Sequence, residues 1–259
     1  MQHSNIAVQM YTLRDFSQTP EELRTTFQKV AAIGYTAAQV SGIGPIDPVL
    51  VKEYADESGL KICATHVPWN RLENDLDAQA RQHQLWDCKY VGIGGLPDEY
   101  RTSQQGFRTF AKQASEIAYR LKEQYGLQFI YHNHDFEFER LDGVTGMDIL
   151  LNESNPETFG FELDLYWAQS GGADPIEWTR KLEGRMQVVH LKDMAIVNRR
   201  QSFAELGEGN MNYKGILDAC RETGVEWYVV EQDVCLRDPF ESVSISLDYL
   251  RRYIQESTK

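Results

Sequence analysis

Apolar residues along this chain fall into two alternating kinds of segment. The first kind is a short, nearly continuous run rich in β-branched and aromatic residues. These runs are Ile6–Tyr11, Tyr35–Ser41, Lys61–Val67, Tyr90–Gly94, Gln128–His134, Phe159–Leu165, Met186–Lys192 and Trp227–Asp233. Such length and composition predict strands buried on both faces, as in a parallel sheet. The second kind is amphipathic, with apolar residues at helical spacing, as at Leu23, Phe27 and Val30. Its boundaries are marked. Thr19-Pro20-Glu21-Glu22 supplies a cap, a proline and the acids of a first turn, and Asp47-Pro48, Asp174-Pro175 and Asp238-Pro239 repeat that start. Gly34, Gly59, Gly126 and Gly224 stop helices ahead of the next strand. Strand, helix and glycine stop, repeated along the whole chain, demand right-handed crossovers and a parallel sheet.

A closed barrel and an open doubly wound sheet both satisfy that pattern. An open nucleotide-binding sheet would carry a glycine-rich turn after its first strand, where this chain has Thr12-Leu13-Arg14-Asp15. Neither a G-x-G-x-x-G nor a Walker A pattern occurs anywhere. The 259 residues match the roughly 250 of a (β/α)8 barrel. No linker or composition shift divides them, so the expected architecture is a single (β/α)8 TIM barrel over residues 1–259.

Composition narrows the partners. With 39 acidic against 26 basic side chains, the net charge is −13, which disfavours a surface that tracks nucleic-acid phosphates. The start lacks a basic segment followed by an apolar run, and no window approaches the ~18–20 apolar residues of a membrane span. A cytoplasmic location is expected. Cys63, Cys88, Cys220 and Cys235 show no metal or disulfide spacing and are read as reduced, mostly buried thiols.

The chemistry concentrates at the ends of the last four strands, on the face where such barrels carry their active sites. With a period of two, His132 shares a face with His134, Glu162 with Asp164, His190 with Lys192, and Glu231 with Asp233. Charges in a barrel interior are costly alone, so either a shared cation or a tight salt-bridge network must hold them. A set of His132, Asp164, His190 and Glu231 mixes imidazole with carboxylate. That mixture suits one divalent ion of the Mn2+, Co2+, Zn2+ or Fe2+ kind better than Ca2+. No cysteine lies among these positions, against a closed structural zinc site.

These segments carry a resemblance. The chain resembles the xylose isomerase-like barrel superfamily of sugar (phosphate) isomerases and epimerases, which includes inosose dehydratases and endonuclease IV-type enzymes. The motifs are VQMYTLR (8–14), ATH (64–66), YHNHDFEF (131–138), ELDLYWA (162–168), HLKD (190–193), LGEGNMNYKGI (206–216) and VVEQD (229–233). The resemblance implies one divalent ion held from the fifth to eighth strands, Mn2+ first among the candidates. Asp164, His190 and Glu231 fall on matching ligand positions. His132 stands where many relatives have glutamate, with His134 as the alternative ligand, and Trp167 stands where relatives often have a substrate-contacting histidine.

The implied chemistry is proton abstraction beside a carbonyl on a small carbohydrate, through an ene-diolate whose charge the ion stabilises. An isomerase or epimerase acting on a sugar or sugar phosphate is the first expectation. A lyase, of inosose dehydratase type or acting on a keto-sugar or keto-glycoside, is the second. Glu231 is the first candidate base; Lys192, His66 or His134 would supply the opposite face. Lys192 would otherwise be a solvated loop lysine or pair with Glu162, and His66 would otherwise be a hydrogen-bonded core residue. Glu208, after the seventh strand, is a substrate hydroxyl acceptor or a surface turn. Tyr11, Trp69, Tyr166 and Trp167 would stack on a sugar ring, or pack in the core or between subunits of a homo-oligomer.

Overall fold

In the computed structural model, which describes residues 1–257, the eight apolar runs form eight parallel strands. They are β1 (Ile6–Gln9), β2 (Ala37–Val40), β3 (Lys61–His66), β4 (Tyr90–Ile93), β5 (Gln128–His132), β6 (Phe159–Asp164), β7 (Met186–Leu191) and β8 (Trp227–Val230). Each pairs with its sequence neighbours, and β1 pairs with β8, placing Ile6 opposite Tyr228 and closing the barrel. Helices separate the strands, as a right-handed parallel crossover requires.

The expected caps form. Thr19 and Glu22 make a reciprocal capping box at the start of the Pro20–Ile33 helix, and Gly34 ends it with a φ of 113°. Asp47, Asp174 and Asp238 each accept backbone N–H bonds at a proline-led helix start. The main apolar core lies between the strands and the helix ring. A smaller one fills the barrel interior with Ala7, Ala37, Ala64, Tyr90, Ile130, Val188 and Val229. Two residues further along the same strands, on the same face, come Gln9, Gln39, His66, Gly92, His132, His190 and Glu231. An apolar layer thus supports a polar one at the carboxyl end.

The strands are shorter than the apolar runs suggested, and this changes what holds several site residues. A 3-10 segment, Met10–Phe16, begins straight after β1, so Tyr11 is outside the sheet. Residue 165 opens the Leu165–Ser170 helix, which Asp164 caps by accepting the Trp167 N–H at 2.9 Å. His134, Lys192, Glu231 and Asp233 stand just beyond their strands. A hairpin of Asp193–Val197 and Arg200–Ala204, invisible in the run pattern, rises from the end of β7.

Candidate metal centre

Four consecutive strands deliver four donors to one point. His132 ends β5, Asp164 ends β6, His190 lies in β7 and Glu231 follows β8, with its N–H still bonded to the Leu191 carbonyl at 3.1 Å. All four are buried, and one donor atom from each lies within 4.8 Å of the others. His132 Nε2 is 3.2 Å from Asp164 Oδ2, and His190 Nδ1 is 2.8 Å from Glu231 Oε2 and 3.7 Å from Asp164 Oδ2. Metal–donor bonds of about 2.0–2.2 Å put opposed donors roughly 4 Å apart, so this spacing fits one ion after small adjustments. His132 Nδ1 is buried with no protein partner, leaving that ring incompletely satisfied by the polypeptide. The donor set and its spacing fit a divalent ion.

Lys192 is built into the same point. Its Nζ lies 2.8 Å from Asp164 Oδ2, 2.7 Å from Glu231 Oε2 and 2.7 Å from Asp233 Oδ2, and the residue is buried. A solvated loop lysine and a pair with Glu162 are both corrected: the side chain is buried, β7 ends at Leu191, and the ammonium sits on the β6–β8 side. Burial alone would raise the Asp164 and Glu231 pKa values. For Asp164, Lys192 and hydrogen bonds from His132 and His190 outweigh burial; for Glu231, Lys192 and His190 do. Both carboxyls end well below the usual range. Burial likewise opposes charge on Lys192, but its three carboxylates outweigh it and raise its pKa well above the ordinary value. Glu162 and Glu231 do the same for His190. Asp164 and Glu231 are thus held ionised by cations they share, whereas burial raises the pKa of Asp233 at the edge of the group.

Glu162 and Gln39 are the residues that sequence reasoning undervalued. Glu162 Oε2 meets His66 Nε2 at 2.5 Å, and Oε1 lies 3.2 Å from His190 Nε2. That same His190 nitrogen is hydrogen-bonded to Gln39 Oε1 at 2.8 Å. Glu162 thus reaches both a ligand candidate and His66, which with it form a second, three-donor group. Glu162 was visible as the period-two partner of Asp164. Gln39 follows from the same alternation, two residues after Ala37, but an amide raises no flag by type.

His66 and His134 face a cavity of about 880 Å³ beside the centre. Their rings stand 5.1 and 5.0 Å from that of His132. Burial is the largest influence on both and lowers their pKa values, that of His134 to about 3 with help from neighbouring His132. His134 is absent from the four-donor group; its chain turns away after β5, where its N–H donates to Glu137 Oε2 at 2.9 Å. Tyr11 and Trp69 line the cavity, whereas Tyr166 and Trp167 pack against Phe203 of the hairpin, at 4.3 and 5.7 Å between ring centres. Trp167 also sits 5.4 Å from the His134 ring.

Glu208 occupies an exposed turn, ion-paired to Arg237 at 2.8 Å, with no contact to the four donors. The glycine-rich motif around it has another explanation. Asp193 accepts N–H bonds from Met194, Gly207, Gly209 and Met211, folding the long loop onto itself. A Cβ at Gly209 would lie 2.3 Å from Asp193 Oδ1, so glycine is required there.

A family model described as xylose isomerase-like TIM barrel matches residues 27–253. The chain belongs to that family. Within it, the chain is 22% identical over 266 residues to an inosose dehydratase of Geobacillus kaustophilus, covering 87% of this chain and 85% of that protein. Among solved structures, a sugar phosphate isomerase/epimerase from Parabacteroides distasonis is similar at a TM-score of 0.80 and 24% identity, covering 95% and 97% of the two chains. The probable 3-DHS dehydratase AsbF from Bacillus anthracis follows at 0.74 and 14%, covering 95% and 98%. Both structural likenesses concern the fold. Among its described residues, this xylose isomerase-like barrel has no helix long and apolar enough to cross a membrane.

Proposed function

We propose that this chain is a divalent-metal-dependent enzyme that removes a proton next to the carbonyl of a sugar or keto-sugar and completes an elimination. The observation that supports it is the asymmetry of the centre. Asp164, Glu231 and Asp233 gather around Lys192 on the β6–β8 side, while His66, His132 and His134 approach from β3 and β5. The curated relative named inosose dehydratase is consistent with a lyase.

When bound, the ion supplies Lewis-acid polarisation of the carbonyl and offsets the charge of the ene-diolate. His132, Asp164, His190 and Glu231 are the residues that would hold it. The Lys192 ammonium adds a fixed positive charge beside the same oxygens. Either Glu231, ionised by its neighbours, or His66 accepts the proton. With Glu162 taking the Nε2 proton in a hydrogen bond, His66 keeps the Nδ1 lone pair for this task. The C–H electron pair becomes the ene-diolate. As the carbonyl re-forms, the β-carbon–oxygen bond breaks, and the leaving oxygen takes the proton back from the same base. One base suffices for that sequence.

A second reading, a metal-dependent isomerase or epimerase, draws on one further feature: His66 and Glu231 come from β3 and β8, so two bases are available. Proton NMR of candidate keto-sugars in heavy water with Mn2+ tests both. Loss of the β substituent supports elimination, and deuterium uptake with inversion supports epimerisation. Absence of any metal-dependent exchange overturns the shared chemistry. A Glu231→Gln variant with full turnover would move the base to His66.

A further inference from the structure

The cavity beside the centre is larger than a bare sugar calls for, and its outer part carries an apolar wall beside polar groups such as Gln79 and Gln82. It opens at His66 and His134 and runs outward over the loops that follow β2, β3 and β4. At about 880 Å³ it lies in the range of roughly 300–1,000 Å³ that holds drug-sized ligands, so a hexose alone leaves most of it unfilled. Its outer wall is Ile43, Ile46, Trp69, Trp86 and Leu96. Trp86 is fixed by an indole N–H bond to the Pro48 carbonyl at 2.8 Å, and Trp69 packs on Phe110 at 4.9 Å between ring centres. Trp69, Trp86 and Leu96 are mostly buried in the core and show the cavity only their edges, while the half-buried Ile43 and Ile46 complete a preformed apolar wall.

Both guanidinium groups on the wall are engaged. Arg71 pairs with Asp75 at 2.8 Å; Arg101 pairs with Asp98 at 2.9 Å, donates to the Leu96 carbonyl at 2.7 Å and lies over the Phe136 ring. Nothing here is arranged as a phosphate clamp. The passage to the centre depends on glycine. A Cβ at Gly94 would stand 3.0 Å from His66 Nδ1, and one at Gly95 would stand 3.1 Å from His134 Cε1. Side chains at those two positions would narrow the join between cavity and centre.

We propose that this space is a subsite for an apolar ring carried by the sugar, so that the substrate is a glycoside-type conjugate and not a free or phosphorylated sugar. This rests on the preceding proposal that the sugar carbonyl meets the four-donor centre. The substituent lies against Trp69, Trp86 and Ile46 while the sugar reaches past Gly94, and its burial supplies binding energy remote from the reacting carbons.

Titration calorimetry of the Mn2+-loaded chain with phenyl and methyl glucopyranosides of both anomers, and with glucose 6-phosphate, tests this. Burying the phenyl ring predicts roughly tenfold or stronger preference for phenyl over methyl, with the phosphate weaker than either. Ile46→Asp and, separately, Ile43→Asp lie on the half-buried loop wall and are expected to abolish the preference while Mn2+ binding stays unchanged. Equal affinity for phenyl and methyl, tightest binding of the phosphate, no binding of either glucoside, or a preference that survives both substitutions would overturn the subsite. Titration reads occupancy, so these outcomes stay separate from a failure of heavy-water exchange, which would strike the proposed chemistry instead.

Discussion

Strands β1 to β4 and strands β5 to β8 share one architecture and one alternation of inward residues. Near their carboxyl ends the first four point Gln9, Gln39, His66 and Gly92 inward, whereas at or just past theirs the last four bring His132, Asp164, His190 and Glu231. The first set is uncharged or weakly basic, and the loops above it leave a large cavity with an apolar outer wall. The second set holds two carboxylates kept below the usual pKa range, is closely packed and is tied to a buried lysine. The difference teaches where a barrel can hold charge. A cluster of buried carboxylates needs cations shared among its members, so this one collects on one side. The opposite side, free of that demand, has room for a ligand.

The largest expected effect comes from breaking the charged side at its shared oxygen. Asp164 Oδ2 meets His132 and Lys192 together. An Asp164→Asn variant is predicted to lose stoichiometric Mn2+ binding by calorimetry and on the order of a thousandfold in turnover, the equivalent of several kcal/mol of charge stabilisation. Retained binding at wild-type affinity would show that the four-donor group is only a polar network.

Next comes Lys192. Removing one partner of a buried ion group costs about 3–5 kcal/mol, so Lys192→Met should unfold at markedly lower urea concentration when metal is chelated. Mn2+ should recover more stability in this variant than in the parent chain, because the ion then replaces the lost counter-charge. Equal metal-induced gains in both proteins would refute that exchange.

The uncharged side offers a pH test. His83 is buried behind β3, with Thr65 Oγ1 2.7 Å from its Nε2 and the Gln79 carbonyl 2.7 Å from its Nδ1. Burial depresses its pKa to about 4 in the folded chain. An unfolded histidine titrates near 6.5, so between pH 6.5 and 4 the unfolded state binds the extra proton and stability falls as pH drops. The loss is up to about 3 kcal/mol. Urea midpoints across that interval should decline less steeply for His83→Gln; parallel declines would remove His83 as the cause.

The smallest effect belongs to the seam between the halves. Glu162→Gln keeps the side chain's shape but weakens its hold on His66 and His190. Lost support of a ligating histidine typically costs 10–100-fold in metal affinity, measurable by competition with a chelating dye. An unchanged affinity would make Glu162 a partner of His66 alone.

Much of this is legible in the sequence. Eight apolar runs became eight strands because strands buried on both faces leave continuous apolar segments. The apolar runs extend past the strand ends, since a run such as Gln128–His134 does not reveal that Asn133 and Glu137 accept N–H bonds from Asp164 and His134 as the chain turns after His132. The four donors were legible because alternation assigns a face to each. Lys192's partners were not: pairing past a strand end depends on how neighbouring loops approach. The cavity was equally hidden, being walled by ordinary apolar residues from several loops.

The sequence by itself determined the eight β/α units, the closed barrel and the residue types that face its carboxyl end. Those follow from local periodicity, caps and the cost of exposing apolar runs, all encoded within short stretches. The tertiary structure alone decided which ionisable groups share charge, that Lys192 joins Asp164, Glu231 and Asp233, and that Glu162 links His66 to His190. Such choices turn on differences of a few ångströms between chain segments far apart in sequence, and Coulomb and desolvation energies change steeply over that distance.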